Sequence, residues 1–212
     1  MAFSNSSIKT YEQCPYKYKL TRIEHRKEPA GDAAERGKAV HSEFEHALVN
    51  LPLLSPERSH WYGYIQTLSD KKTRSEVEFA FTRDWQACDF KDASAWIRGI
   101  YDALYIDGGN AHVLDWKTGK ERDYGDQLKL YAAAIMICHP EVNTVTTEVC
   151  YIDLNKQVEY PKYTRQRLDE LKQWLSDRVT KIEKDDIFAP KPDYGCRWCH
   201  FRKSNGGPCQ WG

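Results

Sequence analysis

The 212-residue sequence lacks several features that would assign a protein to a class at once. It contains no run of about 18 apolar residues, so we expect no membrane-spanning helix. Basic and acidic side chains balance, with 31 Lys and Arg against 31 Asp and Glu, so the net charge indicates no partner. There is no internal repeat, no low-complexity tract and no G-x-x-x-x-G-K-[ST] loop, so we expect no nucleotide-driven motor.

The N-terminal sequence also lacks the basic and then apolar pattern of a secretion signal. We therefore expect a cytoplasmic protein, in the host cytoplasm if the gene is viral. Structural disulfides are rare in that reducing compartment, so a cluster among the seven cysteines is better interpreted as metal ligands. Such a cluster is present near the C-terminus, at Cys196, Cys199 and Cys209.

The spacing of apolar residues predicts a mixed α/β core with an N-terminal helical layer. Helical spacing is found at 4–20, 32–50, 57–72, 124–139 and 164–186. Alternating spacing predicts strands at 75–84, 95–107, 111–119, 145–154 and 156–163. Tight turns are expected at "DGGN" and at Asn155, and Thr164 is expected to cap the last helix. We expect one domain, comprising a helical part (1–75), an α/β core (76–187) and a cysteine tail (188–212).

The predicted hairpin around "DGGN" carries the first candidate site. Asp115 and Lys117 are two residues apart on one strand, so they share a face, while Trp116 points away. The hairpin brings Asp102 on the preceding strand close to Asp115. Carboxylates suit Mg²⁺ or Mn²⁺, and a lysine can position the attacking water. Exposed hairpins often carry Asp and Lys, however, so these three residues alone are a weak signal.

A helix that follows the hairpin adds to this site. Gln127 and Tyr131 are four residues apart and therefore lie on one helical face. The rest of "LKLYAAAI" is apolar, so the helix is expected to pack on the sheet and to direct the Gln127 amide towards the acidic strand ends. The competing interpretation is ordinary helix packing with a tyrosine hydroxyl at the rim.

The segments "GIYDAL", "VLDWKTGK" and "DQLKLYAAA" together resemble the PD-(D/E)XK nuclease superfamily, and within it the RecB-like exonucleases. "RGKAVHSEFE" is similar to the family segment that supplies a histidine ligand, here His41. The opening "SNSSIKTYEQCP" is similar to the first helix of the family. The resemblance implies a restriction-endonuclease-like fold, in which a mixed central β-sheet is flanked by helices.

The same resemblance implies a role for each candidate residue. The metal, Mn²⁺ or Mg²⁺, would be bound by His41, Asp102, Asp115 and the backbone carbonyl of Trp116. A histidine ligand favours Mn²⁺ somewhat, because imidazole is the softer donor. The catalytic residues would be Asp102, Asp115, Lys117, Gln127 and Tyr131. Glu78, on the first predicted strand, is a minor further candidate, since Glu76 and Glu78 share what is also a typical solvated face.

In the iron–sulfur branch of that family, one cysteine of the first helix joins three that follow the nuclease core. The resemblance therefore implies a [4Fe–4S] cluster held by Cys14, Cys196, Cys199 and Cys209. Four thiolates suit zinc equally well, so spacing alone leaves zinc as the alternative. The interval before Cys209 is longer than is usual in the family. Cys138 and Cys150 lie among apolar residues and are expected in the core, and Cys88 in a loop.

Aromatic and basic residues alternate in the opening segment. Such interleaving suits single-stranded nucleic acid, because cations track phosphates and rings stack on bases. The predicted nucleic-acid contacts are Tyr16, Lys17, Lys19, Arg22 and Arg98, with further support from Arg197 and Trp198 in the tail. A solvated basic face with core tyrosines is the competing interpretation.

Two functions follow from these residues. The first is a metal-dependent DNA exonuclease that acts on ends, commonly single-stranded, alone or with a helicase or recombination partner, and that is encoded by a phage. The second is a non-catalytic nucleic-acid-binding or scaffold protein with a zinc site on the same fold. The sequence leaves the oligomeric state and an RNA substrate open.

Overall fold

A computed structural model describes residues 2–29, 31–50 and 54–211. The chain divides into two compact units. The first contains Asp32–Gln173, and the second contains Phe3–Gly31 together with Trp174–Gly212. Among the described residues, no helix combines the length and the apolar character needed to cross a bilayer.

A five-stranded mixed sheet forms the centre of the first unit, in the order β1-β2-β3-β4-β5. The strands are β1 (Arg74–Phe81), β2 (Ile97–Asp107), β3 (Asn110–Lys117), β4 (Thr144–Tyr151) and β5 (Lys156–Thr164). Only β3 and β4 pair in parallel, and the other neighbours are antiparallel. The helix between β3 and β4 supplies the crossover that a parallel pair requires.

One face of the sheet is covered by α3 (Asp32–Asn50) and α4 (Tyr62–Asp70). The apolar stripe of α3, which is Val40, Phe44, Ala47 and Leu48, is buried. It packs in one cluster with β2 and β3, where the Phe44 and Trp116 ring centroids are 5.0 Å apart. Helix α3 therefore lies directly over the strand that carries the Asp-x-Lys motif.

The opposite face is covered by α5 (Gly125–Cys138), whose residues from Leu130 to Ile137 are all buried. Such a helix is apolar on most of its surface because other elements surround it. On this side Phe79 of β1 leans over Gly99 of β2. A Cβ placed on Gly99 would lie 2.5 Å from Phe79 Cζ, so this close approach requires glycine.

The second unit contains α1 (Asn5–Gln13), α2 (Pro15–Tyr18), a π-helical turn (Lys19–Ile23) and the end of α6 (Leu168–Glu183). Ser4 caps α1 by accepting a hydrogen bond from the Ser7 backbone N–H. Arg178 donates to Glu12 through both Nε and Nη2, with Nε–Oε1 at 2.6 Å. These contacts join the two chain segments that make up the second unit.

The expected α/β class, with a mixed sheet flanked by helices, is confirmed. Asn155 occupies the predicted turn with a left-handed φ of 46°. The Thr164 prediction is wrong in detail, because its side chain makes no capping hydrogen bond and a 3₁₀ turn (Arg165–Arg167) precedes α6. The helix break predicted after α3 falls partly on 51–53, which lie outside the described residues.

Candidate active site

The register of the β2–β3 hairpin brings the two predicted carboxylates together. The β2–β3 ladder ends at the pair Ala103–Leu114, and Asp102 and Asp115 are the next residues on the two strands. Asp102 Oδ2 accepts a hydrogen bond from the Trp116 backbone N–H at 2.8 Å. The aspartates are therefore neighbours across one strand pair, close to the end of the sheet where β3 finishes.

Asp115 is fully buried, and its carboxylate has two partners. The Lys117 ammonium forms an ion pair with Oδ2, and the Gln127 amide nitrogen donates to Oδ1 at 2.7 Å. The geometry predicted for Gln127 is therefore present. A buried carboxylate is costly unless it is paired and hydrogen-bonded, and both conditions are met here.

Tyr131 continues this chain of hydrogen bonds. The Gln127 amide nitrogen also donates to the Tyr131 hydroxyl at 2.8 Å, and that hydroxyl donates to the Ile100 carbonyl at 3.0 Å. Burial, and then the charges of Asp115 and Asp102, raise the pKa of Tyr131 well above its usual range. Tyr131 is thus a neutral donor that fixes the orientation of Gln127.

A group of possible metal ligands lies beside these residues. His41, Glu76 and Asp102 each place a ligand atom within 4.8 Å of the others. His41 Nδ1 is 3.5 Å from Asp102 Oδ2. Within residues 2–29, 31–50 and 54–211, no other set of three His, Cys, Asp or Glu side chains meets that distance limit. The open cleft above the group has a volume of about 430 Å³ and is lined by α3 on one side.

The electrostatics of this group suit a divalent cation. Burial and the charge of Asp115 raise the pKa of Asp102 well above its usual range, despite the opposing effect of Lys117. A cation between the carboxylates would remove that penalty. Burial and Lys117 lower the pKa of His41, so its imidazole is neutral and able to coordinate at neutral pH. The backbone of Trp116 partly opposes this lowering of the His41 pKa.

Lys117 keeps its charge in this site. Burial lowers the pKa of Lys117, but the neighbouring Asp115 and Asp102 charges outweigh burial, and the net shift is upward. The ammonium is therefore a hydrogen-bond donor at neutral pH and not a base. Its nitrogen also lies 5.0 Å from the centroid of the Tyr124 ring.

Glu76 is the ligand candidate that the sequence did not identify. It occupies the position of β1 opposite Asp102, between the pairs Ser75–Ala103 and Val77–Tyr101. Its φ is +48°, a left-handed conformation that typically costs about 1–3 kcal/mol for a residue other than glycine. Such strain persists only where the surrounding structure enforces it.

The β2 strand is irregular at the same point. Tyr101 contacts Tyr131 of α5, with ring centroids 5.1 Å apart, whereas Ala103 packs in the cluster formed with α3 and α4. In a regular strand these two residues would face the same side. The alternation is therefore broken between them, at Asp102. A local irregularity of this kind re-aims side chains, and it brings Asp102 and Glu76 to His41.

We expect Glu76→Gln to weaken Mn²⁺ binding by about tenfold or more, because the substitution removes one anionic ligand from the group. Glu78→Gln is the matched control, since Glu78 is exposed on the same strand and lies outside the group. Calorimetric titration of each variant with Mn²⁺ measures the effect. Equal affinities for the two variants would remove Glu76 from the ligand set.

The predicted cluster cysteines all belong to the second unit. Cys14, Cys196, Cys199 and Cys209 line one cavity with a volume of about 390 Å³. Of the other cysteines, Cys150 is buried, while Cys138 and Cys88 are half-buried. Cys88 and Cys138 line a different cavity of about 220 Å³, so the four predicted cluster cysteines form a group of their own.

The predicted nucleic-acid contacts fall in both units. Tyr16, Lys17, Lys19 and Arg22 lie in the second unit, where Lys17 pairs with Glu28 at 2.8 Å. Arg98 lies on β2 in the first unit, with its guanidinium 5.4 Å from the centroid of the Phe90 ring. Two other tyrosines of the opening segment are structural, because Tyr18 stacks on Phe188 and Tyr11 donates to Asp185. The roles of the five predicted contacts stay predictions.

Carboxylates, a charged lysine and a supporting glutamine at the end of a mixed sheet define a metal-dependent phosphodiesterase type of site. The chain belongs to the PD-(D/E)XK nuclease superfamily, whose family model matches residues 2–204. The nucleases of this superfamily use Mg²⁺ or Mn²⁺, which agrees with the donors present. No curated protein matches the chain.

Among the solved structures that are similar to the chain, two illustrate the likeness. A putative exonuclease from Eubacterium rectale is 12% identical with a TM-score of 0.52, over 97% of this chain and 87% of its own. SSO0001 is 15% identical with a TM-score of 0.47, over 100% of this chain and 88% of its own. At such identities the likeness concerns the fold alone.

Proposed function

We propose that the protein is a metal-dependent DNA exonuclease of the RecB-like type that degrades single-stranded ends and carries a structural iron–sulfur cluster. The observation that carries the nuclease part is the convergence of His41, Glu76 and Asp102 beside the buried pair Asp115–Lys117. A non-catalytic relative would have no reason to keep two adjacent buried carboxylates, which are costly without a cation. The superfamily assignment supports the same conclusion.

Each side chain has a definite task in phosphodiester hydrolysis. His41, Glu76, Asp102, Asp115 and the Trp116 carbonyl are the residues that would hold Mn²⁺ or Mg²⁺. When bound, the metal supplies Lewis acidity towards a phosphoryl oxygen and lowers the pKa of water. The charged Lys117 orients the attacking water and stabilises the negative charge that builds on the phosphate. Water adds to phosphorus, the bond to the 3′ oxygen breaks, and the product keeps a 5′ phosphate.

Gln127 and Tyr131 support this arrangement from α5. Gln127 donates to one oxygen of Asp115 and Lys117 pairs with the other. Each carboxylate oxygen has two lone pairs, so Asp115 can keep these partners and also bind the metal. Tyr131 in turn fixes Gln127, and its own hydroxyl is anchored on the Ile100 carbonyl. We therefore propose that both residues orient the catalytic carboxylate without contacting the phosphate.

Exposed rings near the C-terminus support a single-stranded DNA substrate. Tyr194, Trp198 and Trp211 are 68%, 67% and 54% exposed. The Arg197 guanidinium carbon lies 3.6 Å from the Tyr194 ring centroid and 5.2 Å from that of Trp198. Exposed rings beside a cation suit unpaired bases and the phosphates that accompany them. They add to the predicted contacts at Tyr16, Lys17, Lys19, Arg22 and Arg98.

The placement of the cysteines supports a shared metal site. Cys14 lies near the start of the chain and Cys196, Cys199 and Cys209 lie near its end, yet all four line one cavity. Four thiolates suit either a [4Fe–4S] cluster or one zinc ion. We propose the cluster because the resemblance to the iron–sulfur branch of the family implies it.

A nuclease of this kind fits a phage-encoded recombination or DNA-degradation function in the cytoplasm. The sequence has no G-x-x-x-x-G-K-[ST] loop, so the enzyme either works alone or acts with a separate helicase. We also propose that the chain is one nuclease domain with a helical part (1–75), an α/β core (76–187) and a cysteine tail (188–212).

The test is hydrolysis of end-labelled linear single-stranded DNA by anaerobically purified protein. We expect nucleotides to be released with Mn²⁺ or Mg²⁺ and no hydrolysis with EDTA. Circular single-stranded DNA of the same sequence should resist, because an exonuclease needs an end. Cleavage of the circle at the rate of the linear strand would show an endonuclease. Faster hydrolysis of linear RNA than of linear DNA would show that RNA is the substrate. No hydrolysis of linear DNA, circular DNA or RNA would favour the non-catalytic nucleic-acid-binding protein.

A further inference from the structure

Asp153 is a carboxylate outside the metal group that links two elements of the site. It lies in the 3₁₀ turn Ile152–Leu154, directly after β4. It accepts two hydrogen bonds from the Arg36 guanidinium, at 2.8 Å to Oδ2 and 2.6 Å to Oδ1. Its Oδ2 also accepts the Gly119 backbone N–H at 2.7 Å. One side chain therefore joins α3 to the turn that follows β3.

The parallel pairing of β3 and β4 explains how these groups meet. Lys117, the last residue of β3, pairs with Tyr151, the last residue of β4, so both chains leave the sheet side by side. Gly119 then adopts a left-handed φ of +84°, which glycine accepts without strain. Helix α3 runs close to this turn, since a Cβ on Gly37 would lie 3.6 Å from Thr118 Oγ1.

We propose that Asp153 is a positioning residue, which fixes His41 on α3 relative to Asp115 and Lys117 on β3 and thereby sets the metal affinity of the site. Arg36 lies on the helix that carries His41, and Gly119 lies two residues beyond Lys117. The inference rests on the proposed metal site. It assigns a task to a residue that touches neither the metal ligands nor the substrate.

The expected effects on stability and on the site differ in size. The Arg36 side chain is 53% exposed, and an exposed ion pair contributes little to folding because water screens it. The Arg36 guanidinium donates to both oxygens of Asp153, however, and two parallel hydrogen bonds fix the orientation of the two side chains better than one would. The hydrogen bond from Arg36 holds the pKa of Asp153 below its usual range, so the carboxylate is ionised at neutral pH. A ligand displaced by about 1 Å can cost roughly 100-fold in rate.

The test is Mn²⁺ affinity measured by calorimetry, together with the melting temperature, for two variants and a control. Asp153→Asn keeps an oxygen that can accept from the Gly119 N–H but loses the negative charge. Arg36→Lys keeps the positive charge but loses the pair of guanidinium donors that bind both oxygens of Asp153. Glu170→Gln is the matched control, because it removes the acid of another exposed arginine pair, Arg167–Glu170. We expect both variants to bind Mn²⁺ about tenfold more weakly. Their melting temperatures should stay within about 3 °C of wild type, as should the control.

Hydrolysis gives a second readout, since excess Mn²⁺ should restore the activity of Asp153→Asn if only metal affinity has changed. Wild-type Mn²⁺ affinity in both variants would overturn the proposal. A melting temperature that falls together with Mn²⁺ affinity would also overturn it, because Asp153 would then have only a structural role. A protein that binds Mn²⁺ with the expected pattern but hydrolyses no DNA would overturn the proposed function and leave the role of Asp153 intact.

Discussion

Asp115→Asn is expected to reduce DNA hydrolysis by more than about 100-fold, because it removes a ligand charge and the partner of Lys117 together. The amide has the shape of the carboxylate and can still accept the hydrogen bond from Gln127. The fold and DNA affinity should therefore persist. Initial hydrolysis rates, a melting curve and fluorescence anisotropy with labelled single-stranded DNA measure the three properties.

Asp107→Asn is the matched control for this variant. Asp107 is exposed at the turn of the same hairpin, where Asn-Gly is as favourable as Asp-Gly. The control should hydrolyse DNA at the wild-type rate. If Asp115→Asn also does so, the assignment of the active site is wrong. If it neither melts cooperatively nor binds DNA, the residue serves folding and not catalysis.

Cys14→Ser is expected to remove the proposed iron–sulfur cluster and to destabilise the second unit. Cys14 and the tail cysteines lie far apart in sequence but line one cavity. A covalent link across about 100 residues contributes roughly 4.7 kcal/mol in the chain-entropy description, and the cluster would close a longer loop. For a chain of this size we expect the melting temperature to fall by about 10 °C or more.

Iron, sulfide and zinc assays, with an absorption spectrum of anaerobically purified protein, measure the cluster itself. Wild type should absorb broadly near about 400 nm, and Cys14→Ser should not. Cys88→Ser is the control, since Cys88 does not line the cavity. Full metal content in Cys14→Ser would exclude this residue as a ligand. If the wild-type protein is colourless and contains one zinc ion, the four cysteines bind zinc and not an iron–sulfur cluster.

The site shows where local pattern is sufficient. Asp115 and Lys117 share a face because strands have a period of two, and the short "DGGN" turn sets the register that brings Asp102 close to Asp115. Gln127 could be directed towards these carboxylates because the apolar surface of α5 must face the sheet. Each inference depends on residues close in sequence, or on a single helix docking on the sheet.

Glu76 required the tertiary structure. Residues 82–96 separate β1 from β2, and a connection of that length does not define which residue of β1 faces Asp102. Glu76 and Glu78 are equivalent in an ideal alternating strand, so the sequence could not distinguish them, and Glu76 is the one that belongs to the group found here. The left-handed φ of Glu76 and the break in β2 at Asp102 distinguish them. Both are local departures from the regular pattern on which the prediction depended.

By itself, the sequence determined the α/β class, the apolar stripe of α3 and the hairpin with its acidic pair, because short-range periodicity and turn chemistry specify these. Only the tertiary structure decided that His41 comes within 3.5 Å of Asp102 and that Asp153 joins Arg36 to Gly119. It also decided that Cys14 shares a cavity with the tail cysteines. Those contacts depend on packing between segments distant in the chain, and packing follows from the shapes of buried surfaces and not from spacing along the sequence.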